Sequence, residues 1–281
     1  MFQLVQLPSW NQVLAANTAG TQIINIKYPN EIYGEIVLVF PSGTTYADVT
    51  AIEVKLAGKT LVPNLTGTQL NAINKWRGLV QSNNYLSIPF YDRTAKTLEG
   101  MLIPALDCKN RNYDYLQISV TFDSAHSGGS TGAFARVCSD KPMLAGSKTT
   151  ADIMRAFTIQ TPNLANGNSQ SIQIATCTGG IITAIAANSA NITHWEVKKD
   201  GFSVMDLTPK ADIVFLQDQT LRTTQSGWQM LDFMNDGSYL SALDTRRADG
   251  TPANMSFKVN TSGSESPAII ADLLVQGHQN L

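Results

Sequence analysis

The second half of this chain repeats the first. In the first copy Ile36 to Phe40 is an apolar run, followed by the turn segment Pro41-Ser42-Gly43 and then by Ile52-Glu53-Val54-Lys55-Leu56-Ala57-Gly58. In the second, Ile181 to Ala187 leads through Asn188-Ser189-Ala190 into Trp195-Glu196-Val197-Lys198-Lys199-Asp200-Gly201, and the two Glu-Val-Lys triplets stand 143 positions apart. Downstream, Leu65-Thr66 answers Leu207-Thr208, Pro89-Phe90 answers Asp232-Phe233, and Ala105-Leu106-Asp107-Cys108-Lys109 answers Ala242-Leu243-Asp244-Thr245-Arg246, all in the same order. A period this long exceeds the roughly 20 to 50 residues of solenoid repeats. Each copy is therefore a whole domain, and the chain reads as a tandem of two like β-domains.

Length and composition agree with that count. With 281 residues and 43% hydrophobic content the chain can bury one large or two ordinary cores, since domains run about 100 to 150 residues, and the repeat favours two. Charged residues make up only 15%, below the roughly 25% of average soluble proteins. Such a surface has few charges to hold neighbours apart, which fits both a protein whose flanks are covered by other subunits and a plain polar β-domain. A net charge of −2 offers no basic stripe to neutralise phosphates, so direct nucleic-acid binding is disfavoured. No segment has the roughly 18 consecutive apolar residues of a membrane span. The start, Met1-Phe2-Gln3-Leu4-Val5-Gln6, lacks a basic region followed by a long apolar core, so no signal peptide is expected. Without secretion, the sequons beginning at Asn64, Asn191, Asn254 and Asn260 carry no weight. Cys108, Cys138 and Cys177 are odd in number and far apart, which argues for reduced, partly buried thiols rather than a disulfide framework or a clustered metal site.

Along the chain, residues 1–20 read as an N-terminal arm anchored by Trp10, and 21–125 as the first domain. A Gly/Ser/Ala-rich linker is expected over 126–150, and the second domain over 151–281. Strands are expected at Thr21 to Lys27, Glu31 to Phe40, Thr50 to Lys55, Tyr85 to Phe90 and Tyr115 to Phe122, where β-branched residues alternate with polar ones between turn residues. In residues 64–78, Leu70, Ile73 and Trp76 recur at helical spacing with Thr66 or Thr68 available as cap, so a short helix interrupts the strands. Its counterpart is Thr208 through Asp218, with Thr208 as cap and Pro209 at the first helical position. Residues 92–113 form a long excursion with a strand-like patch at Met101-Leu102-Ile103. The second copy offers strands at Arg155 to Gln160, Ser171 to Thr176, Ile181 to Ala187, Thr193 to Lys198, Gln229 to Met234, Asn254 to Thr261 and Ala268 to Gly277. With about eight short strands per copy and no βαβ alternation, the economical fold is all-β, two tandem eight-stranded jelly rolls with short helical inserts.

Motifs for chemistry are weak. Gly128, Ser130 and Gly132 give the G-x-S-x-G spacing of a nucleophile elbow, but an elbow needs a strand feeding a helix and an acid and a histidine later in the chain; here the motif lies in a low-complexity linker. Gly58-Lys59-Thr60 and Gly146-Ser147-Lys148-Thr149 resemble the tail of a phosphate loop, yet Glu53 and Lys141 stand where its first glycine is required. Gly58 is better used as a hairpin turn residue, since its counterpart in the second copy, Asp200-Gly201, is a strong hairpin signal between two strands. His126, His194 and His278 show no zinc-binding spacing, and His194, beside Trp195, reads as structural. Asp232, Asn235, Asp236 and Asp244 form an oxygen-rich stretch without the ligand order of an EF-hand; a calcium ion between subunits is one reading of it and a turn at Asn235-Asp236-Gly237-Ser238 the other. The paired Leu106-Asp107 and Leu243-Asp244, each followed by basic residues (Lys109 and Arg111; Arg246 and Arg247), read equally as loops that meet neighbouring subunits and as local turns. No catalytic residue and no cofactor-binding residue emerges, and the chain is not read as an enzyme.

The ordering of these elements resembles the double jelly-roll major capsid proteins of tailless, membrane-containing bacterial viruses, the corticovirus type in particular, in the lineage of tectivirus and adenovirus hexon proteins. It is carried by Ala15-Ala16-Asn17 at the end of the arm, Ile52 to Lys59, the helix Leu70 to Arg77, Trp195 to Gly201 and Leu231 to Gly237. The resemblance implies a structural protein of the virion, made in the host bacterial cytoplasm, whose homotrimers form pseudo-hexagonal capsomers of an icosahedral shell over an internal membrane. It implies as partners other copies of the chain, a vertex (penton) protein and minor membrane-associated proteins, the last reached by the arm through Phe2, Leu4 and Trp10. The alternative is a two-domain carbohydrate- or receptor-binding β-sandwich, spike- or lectin-like, with Trp228 near Asp232 as its platform.

Overall fold

A computed structural model describes residues 2–79, 82–95, 97–109, 111–129, 131–139, 153–174, 180–207, 222–234 and 238–276. They fall into two compact units, one of residues 1–75 with 79–156 and the other of residues 76–78 with 157–280.

The first nine strands are β1 (Phe2–Gln6), β2 (Gly20–Lys27), β3 (Ile32–Val39), β4 (Val49–Leu56), β5 (Lys59–Leu65), β6 (Tyr85–Pro89), β7 (Leu106–Asp107), β8 (Tyr115–Phe122) and β9 (Gly132–Cys138), with helices α1 (Gly67–Trp76) and α2 (Leu98–Leu102) between them. They pair as two sheets, β1-β9-β3-β6 with β7 beside β3, and β2-β8-β4-β5. The next nine are β10 (Ile153–Gln160), β11 (Gly167–Ile172), β12 (Ile181–Ala187), β13 (Ile192–Lys199), β14 (Phe202–Leu207), β15 (Gln229–Asp232), β16 (Leu243–Asp244), β17 (Met255–Thr261) and β18 (Ile269–Gln276). Their sheets are β10-β18-β12-β15 with β16 beside β12, and β11-β17-β13-β14. Strand for strand this is the first order again. Successive strands cross from one sheet to the other in the Greek-key manner, so each copy is a jelly roll of eight longer strands and a two-residue ninth.

Alternation makes these strands. On β8 the apolar Leu116, Ile118, Val120 and Phe122 are buried while Tyr115, Gln117, Ser119 and Thr121 are half-buried, the period-two pattern of a strand with one face in a core. Facing it on β4, Ile52 and Val54 are fully buried, while Glu53 and Lys55 point outward and pair at 2.7 Å. The repeated triplet does the same on β13, with Val197 inward and Glu196 and Lys198 paired outward at 2.5 Å. Both triplets end in a two-residue hairpin turn, Ala57-Gly58 (φ 47° and 85°) and Asp200-Gly201 (φ 48° and 85°). Left-handed conformation at both positions is the geometry that matches strand twist.

The helix at 64–78 forms as α1. Thr66 closes a capping box: its hydroxyl accepts from the Gln69 N–H at 3.2 Å and the Gln69 side chain accepts from the Thr66 N–H at 2.9 Å, which satisfies two of the helix's orphan donors. Leu70, Ile73 and Trp76 are buried. The expected helix from Thr208 to Asp218 lies outside the described residues.

Four expectations need correction. Residues 1–20 are not a detached arm, because β1 pairs with β9 from Phe2↔Cys138 to Gln6↔Phe134. The stretch 126–150 is not all linker, because β9 lies in it and is the central partner of both β1 and β3. The patch Met101-Leu102-Ile103 is not a strand; Met101 and Leu102 end α2, whose start is capped by the Thr97 hydroxyl accepting from the Gly100 N–H at 3.0 Å. A three-residue apolar run carries too little periodicity to separate helix from strand. The strand placed at 171–176 begins earlier, at Gly167. As an edge strand of exposed Asn and Ser with a half-buried Gln it has no apolar alternation to read.

Candidate functional site

The outward face of the sheet β1-β9-β3-β6 carries a polar cluster centred on Glu35. A β-bulge at Gly34, between the pairs Tyr33↔Val137 and Glu35↔Arg136, turns Glu35 outward while Ile36 next to it stays in the core at 0% exposure. The packing around this bulge favours glycine: a Cβ on Gly34 would lie 3.1 Å from the Phe2 ring and 3.3 Å from the Tyr91 ring, tighter than ordinary contact. Directly opposite residues share a face, so Leu4, Arg136 and Glu35 form one row across β1, β9 and β3. Gln6, Phe134, Val37 and Ser87 form the next, with β6.

Glu35, 5% exposed, is held by four donors. The Ser87 hydroxyl reaches it at 2.5 Å, the Tyr91 hydroxyl at 2.9 Å, Arg136 at 3.1 Å and Arg93 at 3.3 Å. A carboxylate withdrawn from water is tolerated when its lone pairs are occupied in this way. Burial, and then the Glu35 charge beside it, push the Tyr91 phenol up to about 12, against the pull of Arg93. The Phe2 ring packs on Tyr91 with centroids 5.4 Å apart.

The second unit has the same bulge, at Thr183 between Ile182↔Leu273 and Ala184↔Asp272. Ala184 therefore stands where Glu35 stands in the first unit, Asp272 where Arg136 stands, and Asp232 where Pro89 stands. Asp272 is buried and Asp232 half-buried, and each meets an arginine, Asp232 with Arg222 at 2.7 Å and Asp272 with Arg77. The Arg222 guanidinium lies 4.9 Å from the Trp76 ring centroid, close enough for a cation–π contact. The Thr223 N–H donates to the Trp76 carbonyl at 3.0 Å.

Most of the residues singled out in the sequence turn out to be structural. His126 is buried, with its Nε2 bonded to the Thr18 carbonyl at 2.8 Å and its Nδ1 accepting from the Gly128 N–H at 2.9 Å; both nitrogens are used, and they tie the residues before β2 to those before β9. His194 faces Asp206 at 3.3 Å. Asp107 and Asp244 each accept the backbone N–H two residues on, from Lys109 at 3.0 Å and Arg246 at 2.9 Å, so the paired Leu-Asp segments make the same local turn in both units. Asp244 also holds Arg246 through both oxygens, which leaves it committed within its own chain. Trp10 donates its Nε1–H to the Thr131 carbonyl and anchors its segment as expected. Trp228 and Asp232 make no sugar platform, since Asp232 is tied to Arg222 and to the Met234 N–H. Cys108 and Cys138 are buried and in no disulfide. Ser130, Gly146 to Thr149, His278, Cys177, Asn235 and Asp236 lie outside the described residues. Among the described residues no group of three or more His, Cys, Asp or Glu side chains could hold a metal ion, and no helix is long and apolar enough to cross a membrane. Sequence reasoning missed the Glu35 cluster. Its one readable signal was a lone acid inside an otherwise apolar strand.

The comparisons with known proteins bear on both units. A family model described as viral coat protein P2 N-terminal domain matches residues 4–138, and one described as viral coat protein P2 C-terminal domain matches residues 153–276. The chain belongs to the viral coat protein P2 family. It is a major capsid protein, and its place is the virion capsid. Among solved structures it is similar to the major capsid protein P2 of bacteriophage PM2, with 21% identity over 100% of both chains and a TM-score of 0.84. The structure of Sulfolobus Turreted Icosahedral Virus matches with 15% identity over 98% of this chain and 91% of that one, at a TM-score of 0.66. The capsid of PBCV-1 virus matches with 10% identity over 99% and 95%, at 0.57. A search of the curated proteins finds no match. At these identities the structural likeness speaks for the double jelly-roll fold, and the two family models speak for the coat protein. The family boundary at residue 4 takes in most of β1 and that at 138 takes in β9, the two strands read from sequence as arm and linker.

Proposed function

We propose that this coat protein acts by assembly alone, without catalysis, three copies forming a homotrimeric, pseudo-hexagonal capsomer of an icosahedral shell. The observation that carries this reading is the duplication itself: two jelly rolls of one strand order on one chain become six around a threefold axis, a six-sided tile. Closed sandwiches leave few strand edges to polymerise without limit. The partners are the chain itself, neighbouring trimers, a vertex protein and proteins of an internal membrane, the last two supported by the family resemblance. Contact with the membrane through Phe2 and Trp10 is not part of the proposal, because Phe2 packs on Tyr91 and Trp10 bonds to Thr131. No cofactor is part of the proposal, and a trimer mass unchanged by chelation is the expected result. Size-exclusion chromatography with light scattering tests the trimer: a stable species of three times the 30.4 kDa of one chain is expected, and a monomer at every concentration overturns the reading.

A further inference from the structure

At one end of the first unit the outward face of β2 and β8 runs into the turns that precede β3 and β8. Asn25 stands opposite Gln117 and Lys27 opposite Tyr115, so the four share a face. Tyr28 follows, its N–H donating to the Asp114 carbonyl at 3.0 Å. Two adjoining clefts open here, of about 410 and 520 Å³, and Tyr28 and Asp114 line both. Ligand sites run roughly from 300 to 1,000 Å³. Tyr28 is the unusual residue among them. Its backbone is left-handed, at φ 49°, a conformation that tyrosine adopts rarely because the Cβ crowds the neighbouring carbonyl. It is also 75% exposed. A strained backbone that turns an aromatic side chain into water gains no burial, so packing does not account for it. Strain of this kind gathers at binding sites, where the surrounding fold holds it in place.

We infer that Tyr28 and the clefts beside it bind a saccharide, a function separate from assembly. The lining selects that class. Its one cation, Lys27, and its one anion, Asp114, cancel, which disfavours a phosphate or carboxylate ligand. Pro29, the one apolar aliphatic residue of the lining, is buried, so an acyl chain finds no aliphatic wall. What remains is aromatic and amide, with Tyr28, Tyr113 and Tyr115 beside Asn25, Asn112 and Gln117. Gln117 donates its Nε2 to the Asn25 Oδ1 at 3.0 Å. That bond leaves the Asn25 Nδ2 as a donor and the Gln117 Oε1 as an acceptor on neighbouring strands, with no further partner among the described residues. Two adjacent sugar hydroxyls, each able to donate and to accept, fit such a pair. The C–H face of a pyranose fits an exposed tyrosine ring, which is apolar in its body and polar at its tip.

Saturation-transfer NMR on the full chain tests this, with the methyl glycosides of glucose, galactose, mannose and N-acetylglucosamine as probes. Transfer to the ring protons of at least one of them is the expected result. Tyr28→Gly is expected to abolish that transfer while the melting temperature holds or rises, because glycine takes the left-handed turn without strain. Gln117→Ala is expected to weaken it. Phe202→Ala, which removes an aromatic side chain 78% exposed in the second unit, is expected to leave it unchanged. No transfer to any of the four sugars overturns the inference. Transfer that survives Tyr28→Gly overturns it as well, and so does transfer that Phe202→Ala abolishes equally, which marks contact with any exposed ring. Sedimentation with phosphatidylcholine vesicles that depends on Tyr28, without transfer to any sugar, overturns it in favour of membrane contact.

Discussion

Glu35 is one acid in an apolar strand, and its surroundings decide its effect. Four donors converge on it from β9, from β6 and from the residues just after β6, so it ties three segments together on the outside of the sheet. Removing one partner of a buried charge pair costs about 3 to 5 kcal/mol. Glu35→Ala is expected at the lower end, about 3 kcal/mol, because Arg93 and Arg136 are each 39% exposed and can turn to water; chemical denaturation of the first unit measures it. Tyr91 gives a pH dependence of known sign. An unfolded tyrosine ionises near 10.0, whereas folded Tyr91 is pushed up to about 12 by burial and by Glu35. Its contribution is therefore complete below pH 10 and is lost as the pH rises toward 12, because the unfolded chain releases a proton that the folded chain retains. Melting temperatures followed across that window are expected to fall less steeply in Tyr91→Phe. Tyr33, also raised by burial, keeps some slope in place.

Among the elements, the hairpins β4–β5 and β13–β14 offer a comparison within one molecule. Both turns require two left-handed residues. The second supplies Asp200, whose carboxylate also takes Arg247 at 2.6 Å and the Asn254 N–H at 2.9 Å; the first supplies Ala57, which has no side-chain oxygen to support that conformation. Left-handed backbone costs an ordinary residue about 1 to 2 kcal/mol, less for Asn or Asp. Ala57→Asn is accordingly expected to stabilise the first unit by about 0.5 to 1 kcal/mol, read as a higher denaturation midpoint. These hairpins, α1 with its capping box, and strands such as β8 and β12 were legible because each carries its own local signal. Strands β1, β9 and β11 were not. The first is a five-residue run whose partner lies more than 120 residues away, and the second borders Gly/Ser/Ala-rich sequence; they become strands by pairing with each other, and β9 also with β3, while the third is an exposed edge.

For the whole molecule, one fold occurs twice, and the equivalent sheet faces differ in the charges they carry and in their burial. Residues 76–78 belong to the second unit, where Trp76 and Arg77 cover buried charge. A fragment of residues 153–281, lacking them, is expected to melt at lower temperature than the whole chain and to bind a hydrophobic dye, because Asp272 loses its arginine and β18 loses cover; circular dichroism and dye fluorescence check this. Sequence alone determined the duplication, the all-β class, the turn chemistry and the burial of most apolar positions, since these follow from side-chain periodicity and from the conformational freedom of a few residues. Only tertiary structure decided that the N-terminal segment is a strand, that Glu35 gathers four donors, and that Asp232 and Asp272 are held by arginines distant in the chain. The reason is that hydrogen-bond partners on neighbouring strands, and the charge that compensates a buried carboxylate, are set by long-range register, and register is not recorded in any local stretch of residues.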